Sequence, residues 1–227
     1  GGAAGNDKRR VDYRGKGTSE RVAIGIKKLQ HYNILYGALI VVDREVYQTD
    51  MREMLDYFIS IDLTGIEFLN IVPDNRLAAG EYIGDNFISY AEFIKFLSDL
   101  FIIWIKDYRE KIHITIFEDF IKALKYPDEK LSACYWSGNC SQEIITLEPN
   151  GDISPCDKYR GDANSIYGSI LNIELADLLA NSSHNQQAVI EEIEATKKMH
   201  HCKWFPICHG GCPHDRVINR RHTKGYN

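Results

Sequence analysis

Residues 134–156 read CYWSGNCSQEIITLEPNGDISPC, and residues 202–212 read CKWFPICHGGC. Together they contain all six cysteines of the chain, and residues 1–133 contain none. The spacing is Cys134-x5-Cys140-x10-Gly151-x4-Cys156, followed after a gap by Cys202-x5-Cys208-x3-Cys212. Thiolates confined to one segment indicate a site for a soft metal, and in a chain of this size zinc and iron–sulfur are the usual occupants.

The first of these stretches predicts a β-hairpin. Residues 143–147 and 152–154 have strand character, and a Pro-Asn-Gly turn joins them, in which Asn-Gly is a strong hairpin signal. Cys140 lies just before this hairpin and Cys156 at its far end. Because the turn brings the two strand bases together, we expect these thiols to lie close to each other despite their separation in sequence.

Length and composition exclude several classes of function. The 227 residues are 44% hydrophobic and 26% charged, which is sufficient for one large or two modest folded domains. The net charge of −5 argues against a nucleic-acid partner, since the basic runs at residues 8–10 and 220–222 are short. No apolar run approaches the roughly 20 residues that span a bilayer, and no signal-peptide pattern is present. We therefore expect a cytoplasmic protein without a membrane partner.

Three disulfides are the first alternative for an even number of cysteines. Secreted disulfide-bonded domains are usually small and rich in cysteine throughout, whereas here one half of the chain has none. The distribution favours a metal site over disulfides.

The residues before the cysteines predict alternating helices and strands. The predicted elements are a helix capped by Thr18, a strand at residues 35–42, a helix opened by Thr49, a strand at 66–72 and a helix capped by Ser89 and Glu92. The two strands are continuous apolar runs, which indicates burial on both faces and parallel pairing. Two strands do not form a stable covered sheet, so we expect this segment to belong to a larger barrel or sheet whose remainder lies upstream.

Shorter elements follow, and the first residues stand apart. Residues 112–116 predict a strand, residues 117–124 a short helix and residues 184–198 a further helix. Residues 1–6 have no core-forming side chains and are interpreted as a linker.

The cysteine pattern, which ends in Cys208-His-Gly-Gly-Cys212-Pro, resembles the SPASM domain of radical S-adenosylmethionine (SAM) enzymes. It is most similar to the anaerobic sulfatase-maturating enzymes and to the maturases of ribosomally synthesised peptides. Residues 6–10 and 15–18, with the helix after them, resemble the segment that follows the fourth barrel strand in that family.

The resemblance implies an α/β fold. Residues 1–110 would be the C-terminal part of a partial (β/α)6 radical SAM barrel, and residues 111–130 a connecting segment. Residues 131–227 would be a small α+β SPASM domain, with a β-hairpin and a cysteine-ligated cluster.

The resemblance also implies the ligands of auxiliary 4Fe-4S clusters. The first cluster would be held by Cys134, Cys140, Cys156 and Cys212. A second cluster would keep Cys202 and Cys208, but this sequence has Met199 where the family has a cysteine, and the last family cysteine would fall beyond Asn227. His200 and His201 are candidate nitrogen donors. One auxiliary cluster is expected, and a second is left open.

The family's C-x3-C-x2-C loop, which holds the cluster that cleaves SAM, is absent from residues 1–133. This chain alone is therefore expected to be inactive. The resemblance implies that the intact protein is a SAM-dependent oxidoreductase that modifies a peptide or protein substrate. The reaction would be a side-chain oxidation to formylglycine or a cross-link, with a reductant such as flavodoxin or ferredoxin.

Two further residues carry over from the family. Asp157, directly after Cys156, matches the position of the proposed base that deprotonates the substrate, and its alternative role is to hydrogen-bond backbone near the cluster. Arg10 resembles an arginine that pairs with the carboxylate of SAM, although an arginine in a basic run is often only solvated.

Zinc is the main alternative occupant of the thiolates. Structural zinc sites often use C-x2-C pairs, and this sequence has none, so the longer spacing favours iron–sulfur. A non-enzymatic metal-binding or electron-transfer module is the alternative function. An upstream C-x3-C-x2-C loop in the gene would favour the enzyme.

Overall fold

The computed structural model describes residues 2–126, 129, 131, 133–138 and 140–223. The chain divides into two compact units. The first comprises Gly1–Ile71 with Asp85–Glu118, and the second comprises Val72–Gly84 with Asp119–Asn227. The predicted division into residues 1–110, 111–130 and 131–227 stays a prediction.

The first unit contains a parallel sheet and the helices between its strands. Its elements are α1 (Gly2–Arg9), α2 (Ser19–His31), β1 (Ala38–Val42), α3 (Arg44–Tyr47), α4 (Met51–Ser60), β2 (Gly65–Asn70), α5 (Tyr90–Asp107) and β3 (His113–Ile114). The three strands are all parallel and lie in the order β1-β2-β3, with Ile40 opposite Phe68. The predicted alternation of helices and strands and their parallel pairing are confirmed.

The core of this unit lies where α5 meets the sheet. Phe96, Leu100 and Trp104 are fully buried, and the ring of Phe68 packs edge-on against Phe96 with centroids 5.5 Å apart. The Trp104 indole donates a hydrogen bond of 2.7 Å to the carbonyl oxygen of Ile112, so the largest core side chain has no unsatisfied donor. The stripe of aromatic and aliphatic residues in α5 is therefore core packing.

The start of α5 agrees with the sequence. Ser89 and Glu92 form the predicted capping box, and Arg44 also pairs with Glu92. The hydrogen bonds from Arg44 and Ser89 hold the pKa of Glu92 at about 2.

Two other helix starts differ from the prediction: Thr18 is at the N-cap position of α2 but does not cap it with its side chain, and α4 begins one residue later than predicted. Thr18 makes no side-chain cap to α2, because its hydroxyl donates to the carbonyl oxygen of Arg10. The Asp7 carboxylate instead accepts from the Ser19 backbone N–H at 2.7 Å. At α4, the cap is Asp50 and not Thr49. Asp7 lies in α1, which extends through residues that the sequence pattern had indicated to be a linker.

The predicted burial of the first strand on both faces is also wrong. Val42 is fully buried, whereas Leu39 is 70% exposed and Val41 is 48% exposed. β1 lies at the edge of the sheet, and within the described residues the face that carries Leu39 and Val41 is only partly covered. An apolar run therefore did not distinguish a fully covered strand from one covered on a single face.

The close approach of Gly37 and Gly65 supports a stability prediction. A Cβ at Gly37 would lie 2.9 Å from the backbone oxygen of Gly65, a contact that requires the backbone to shift. We expect Gly37→Ala to destabilise the protein by about 1–3 kcal/mol, measured by chemical denaturation. Gly25→Ala in α2 is the control, because a Cβ there meets no atom and should stabilise the helix by up to about 1 kcal/mol. Equal stability of the Gly37 variant and the parent would contradict the close approach.

The second unit contains a small antiparallel sheet surrounded by helices. Besides the segment Val72–Gly84, the unit contains the chain from Asp119 onwards, which lies within α6 (Thr115–Lys125). Its later elements are α7 (Cys140–Glu143), β4 (Thr146–Leu147), β5 (Asp152–Ser154), β6 (Gly168–Ser169), α8 (Leu175–Asn181), α9 (Ser183–Met199), α10 (Phe205–Cys208) and α11 (Pro213–Thr223). Three 3₁₀ turns occupy Cys134–Trp136, Asp157–Tyr159 and Ala163–Ser165.

The predicted hairpin is confirmed as β4 and β5, with Thr146 opposite Ser154. Gly151 in its turn has φ of +89°, a conformation that favours glycine. β6, which pairs with β5, was not predicted, because a two-residue strand leaves no periodic pattern. None of the described helices combines the length and the apolar character needed to cross a membrane.

Candidate metal centre

Four cysteines are positioned by four different elements of the second unit. Cys134 starts a 3₁₀ turn, Cys140 begins α7, Cys156 follows β5 and Cys212 immediately precedes α11. Cys156 is buried, Cys140 and Cys212 are half-buried and Cys134 is exposed. The hairpin connects the segment that carries Cys140 to the one that ends at Cys156. The predicted closeness of these two thiols stays a prediction.

The thiols of these cysteines interact electrostatically. Burial, and then the charges of three other thiolates, raise the pKa of Cys140 to about 12. Those thiolates belong to Cys212, Cys156 and Cys134. Burial, followed by the charge of Asp215, raises the pKa of Cys212 to about 11, and burial also raises that of Cys156. Burial thus disfavours ionisation of the Cys140, Cys156 and Cys212 thiols. A metal cation would stabilise them as thiolates.

A cavity of about 50 Å³ lies against two of these cysteines. Its lining includes Cys134, Cys140, the Glu192 and Thr196 side of α9, and Arg216 of α11. The arrangement offers sulfur donors beside one carboxylate and one guanidinium.

The remaining two cysteines lie outside this set. Cys202 is exposed in the turn after α9, and its backbone N–H donates to the Met199 carbonyl oxygen at 2.9 Å. Cys208 is half-buried at the end of α10. Met199 packs against Gly210, where an added Cβ would lie 2.5 Å from its terminal methyl carbon. Met199, at the position where the resemblance implies a cysteine, therefore makes an apolar contact with the turn before Cys212.

Sequence reasoning did not find the lysine beside Cys212. Lys158 Nζ donates to both carboxylate oxygens of Asp215, at 2.9 and 3.0 Å, and lies 3.8 Å from Cys212 Sγ. Burial lowers the pKa of Lys158, but the charges of Cys212 and Asp215 outweigh it and raise that pKa above its usual value. Burial raises the pKa of Asp215, but its bonds to His214 and Lys158 outweigh it and hold that pKa below its usual value. Lys158 is therefore a cation held against a candidate ligand.

A second missed group, Asn75, holds the Lys158 turn in place. Asn75 Nδ2 donates to the carbonyl oxygens of Lys158 and Arg160, at 2.6 and 3.1 Å. Its Oδ1 is thus oriented to accept from Nε2 of the buried His214 at 2.8 Å. The ring of Tyr159 packs edge-on against His214, with centroids 4.7 Å apart. These contacts connect the turn after Cys156 to the first turn of α11.

Two arginines connect α11 to α9 and to the turn before Cys212. Arg216 Nη1 donates to the carbonyl oxygens of Gly210 and Gly211, at 2.9 and 2.6 Å. Glu191 of α9 accepts from Arg220 at 2.6 and 2.8 Å and from Arg216 at 3.5 Å. Arg216 is 6% exposed, so its charge is compensated within the protein.

The other predicted site residues are located but their roles stay predictions. Asp157 is exposed at the start of the 3₁₀ turn beside Cys156. Arg10 is exposed in the first unit, directly after α1. His200 and His201 are exposed at the end of α9, and His200 Nδ1 lies 3.0 Å from the Lys197 carbonyl oxygen.

Comparisons with known proteins give relatives of one kind. No protein-family model matches the chain. The cysteine-type anaerobic sulfatase-maturating enzyme of Clostridium novyi (strain NT) is 26% identical over 219 residues, which are 94% of this chain and 56% of that enzyme. The enzyme of the same name from Clostridium perfringens (strain 13 / Type A) is 24% identical over 89% of this chain and 53% of its own length.

Solved structures show a similar fold. Native anSMEcpe with bound AdoMet and Cp18Cys peptide has a TM-score of 0.76 at 24% identity, covering 92% of this chain and 56% of that one. Streptococcus suis SuiB bound to S-adenosylmethionine has a TM-score of 0.55 at 16% identity, covering 88% of this chain and 45% of that one.

This chain spans about half the length of the curated relatives that it matches. Its overall architecture is mixed α/β and matches a radical SAM enzyme structure. The predicted relationship is confirmed: the chain is a homologue of the anaerobic sulfatase-maturating enzymes, which are radical SAM enzymes.

Proposed function

We propose that this chain is the auxiliary-cluster portion of a radical SAM enzyme that oxidises or cross-links a side chain of a peptide or protein. The observation that carries the proposal is that Cys134 and Cys140 line one cavity together with Gly211, the neighbour of Cys212. The charges of Cys134, Cys156 and Cys212 also act on Cys140. These cysteines are the four that the family resemblance assigns to one cluster. Peptides bound in the anSMEcpe structures support a peptide as the class of substrate.

The architecture supports placing the first unit in a partial barrel. Its parallel strands are adjacent in chain order, β1-β2-β3, with helices between them. Consecutive parallel neighbours joined by helices are compatible with part of a β/α barrel. The part of the second unit within residues 131–227, with its hairpin and the four proposed ligands, is the proposed SPASM domain.

The donor set favours a 4Fe-4S cluster over zinc. In a structural zinc site four ligands lie about 2.3 Å from one shared ion. Such sites often use C-x2-C pairs, and this sequence has none. Thiolates that bind separate irons of a cluster lie further apart, and the four coupled cysteines are compatible with that arrangement. Such a cluster would supply one-electron transfer.

The roles of the flanking residues follow from their exposure and their neighbours. Asp157 is the proposed base for the substrate side chain, because its carboxylate is exposed directly beside Cys156. Arg10 is the proposed partner of the SAM carboxylate, because its guanidinium is exposed and a guanidinium pairs well with a carboxylate. A flavodoxin or ferredoxin is the proposed source of electrons for the intact enzyme.

Anaerobic reconstitution of this chain tests the proposal. We expect a brown protein with about four irons per chain, because four thiolates are available for one cluster. Iron and zinc content and the visible absorption spectrum are the measurements. A colourless protein that holds one zinc ion tightly would contradict the proposal and favour the alternative structural zinc site.

The gene upstream of residue 1 distinguishes the enzyme from a non-enzymatic module. A C-x3-C-x2-C loop after an upstream strand would provide the site for SAM cleavage. A gene without that loop would favour an electron-transfer or metal-binding module.

A further inference from the structure

The ammonium group of Lys158 is the cation that lies against a candidate cluster ligand. Its distance of 3.8 Å to Cys212 Sγ is within hydrogen-bonding range for sulfur. The Lys158 side chain is 32% exposed, so water only partly screens its charge.

Asp215 fixes this ammonium group in position. Both of its carboxylate oxygens accept from Lys158 Nζ, and Asp215 itself is only 13% exposed. His214 Nδ1 lies 3.4 Å from Asp215 Oδ1, and His214 Nε2 bonds to Asn75. Asn75 in turn binds the Lys158 carbonyl oxygen, which closes a ring of contacts. A flexible lysine side chain is thereby held in one geometry.

A fixed cation at a ligand sulfur has a definite effect on an iron–sulfur cluster. When an oxidised cluster gains one electron, its net negative charge increases and much of that charge is shared by the thiolate sulfurs. A positive charge and an N–H donor at one sulfur stabilise the reduced form more than the oxidised form. Compared with a neutral side chain at the same position, such a cation raises the reduction potential. The nearby carboxylate of Asp215 acts on Cys212 in the opposite direction, so the effect of the lysine is the difference between the site with and without its charge.

We propose that Lys158, held by Asp215, raises the reduction potential of the cluster that Cys212 binds. This inference rests on the proposed cluster site, and it assigns Lys158 a tuning role and not a catalytic one. Arg216 is the other nearby buried cation, but its guanidinium binds two backbone carbonyl groups and Glu191. Lys158, in contrast, contacts the sulfur of Cys212.

The test is a redox titration of the reconstituted chain with dithionite as the electron donor. Lys158→Met removes the charge and the donor while retaining an apolar side chain of similar length. At a fixed applied potential we expect the ratio of reduced to oxidised cluster to fall at least tenfold. This corresponds to a reduction potential that is lower by about 59 mV for transfer of one electron. The electron paramagnetic resonance signal of the reduced cluster is the readout. Lys158→Arg keeps the positive charge and the N–H donors, so its reduction potential should stay close to that of the parent chain.

Lys125→Met is the matched control, because Lys125 is an exposed lysine in the last turn of α6. Its potential should equal that of the parent chain. If Lys158→Met holds the same iron and titrates at the parent potential, the inference is overturned while the cluster site stands. If the parent chain holds no iron–sulfur cluster, the proposed function itself fails.

A structural role for Lys158 would give a different result. Lys158→Gln removes the charge but retains a shorter N–H donor, and it should also lower the potential at unchanged iron content. Loss of the cluster from both neutral variants, with retention in Lys158→Arg, would assign Lys158 to folding of the site and overturn the tuning role.

Discussion

Cys140→Ala should reduce the iron content of the reconstituted chain from about four per chain to near zero. Burial and then the charges of the three other proposed ligands raise the pKa of the Cys140 thiol, so its sulfur interacts electrostatically with all three. Removing one ligand from a four-thiolate site weakens cluster binding, and that binding is coupled to folding of the surrounding segment. Iron per chain and the thermal unfolding of the reconstituted protein are the measurements.

The same loss is expected for Cys134→Ala, Cys156→Ala and Cys212→Ala. Cys202→Ala is the matched control, since Cys202 is exposed in a turn and its backbone makes the contact with Met199. This variant and Cys208→Ala should retain most of the iron. Equal loss of iron in all six variants would contradict the division into one complete site and two cysteines outside it.

Local patterns in the sequence were sufficient to predict the hairpin between Cys140 and Cys156 and the start of α5, but not the short helices and turns that carry the cysteines. The Asn-Gly turn predicted the hairpin, and residues 150 and 151 form its turn in the structure. The capping box at the start of α5 was also correct, because both of its partners lie within one helical turn. Signals of this kind depend on neighbouring residues, and a single sequence displays them directly.

Contacts between distant residues were not predicted. Lys158 and Asp215 are 57 positions apart, and Asn75 and His214 are 139 apart. Each of these side chains, taken alone, reads as an ordinary polar surface residue. The only available signal was that Lys158 follows Cys156 by two positions and Asp215 follows Cys212 by three.

The errors in the first unit have the same origin. The cap of α2 comes from Asp7, 12 positions before Ser19, and no short-range motif indicates such a partner. The exposure of Leu39 in β1 depends on what covers that face of the sheet. An apolar run shows that a strand can be buried, but it does not show how many of its faces are covered.

In the proposed intact enzyme, Asp157→Asn should retain cleavage of SAM but lower turnover of the proposed peptide substrate by about 10²-fold or more. Asparagine preserves the size of the side chain and removes its ability to take a proton, so it tests Asp157 as the base. Asp177→Asn is the control, because Asp177 is an exposed carboxylate in α8. Replacing that carboxylate by an amide should change neither the rate of SAM cleavage nor the rate of peptide modification. The measurements are the rates of SAM cleavage and of peptide modification under anaerobic conditions. Peptide turnover at the parent rate would assign Asp157 a structural role beside Cys156, since a general base that transfers the substrate proton cannot be replaced by an amide without loss of rate.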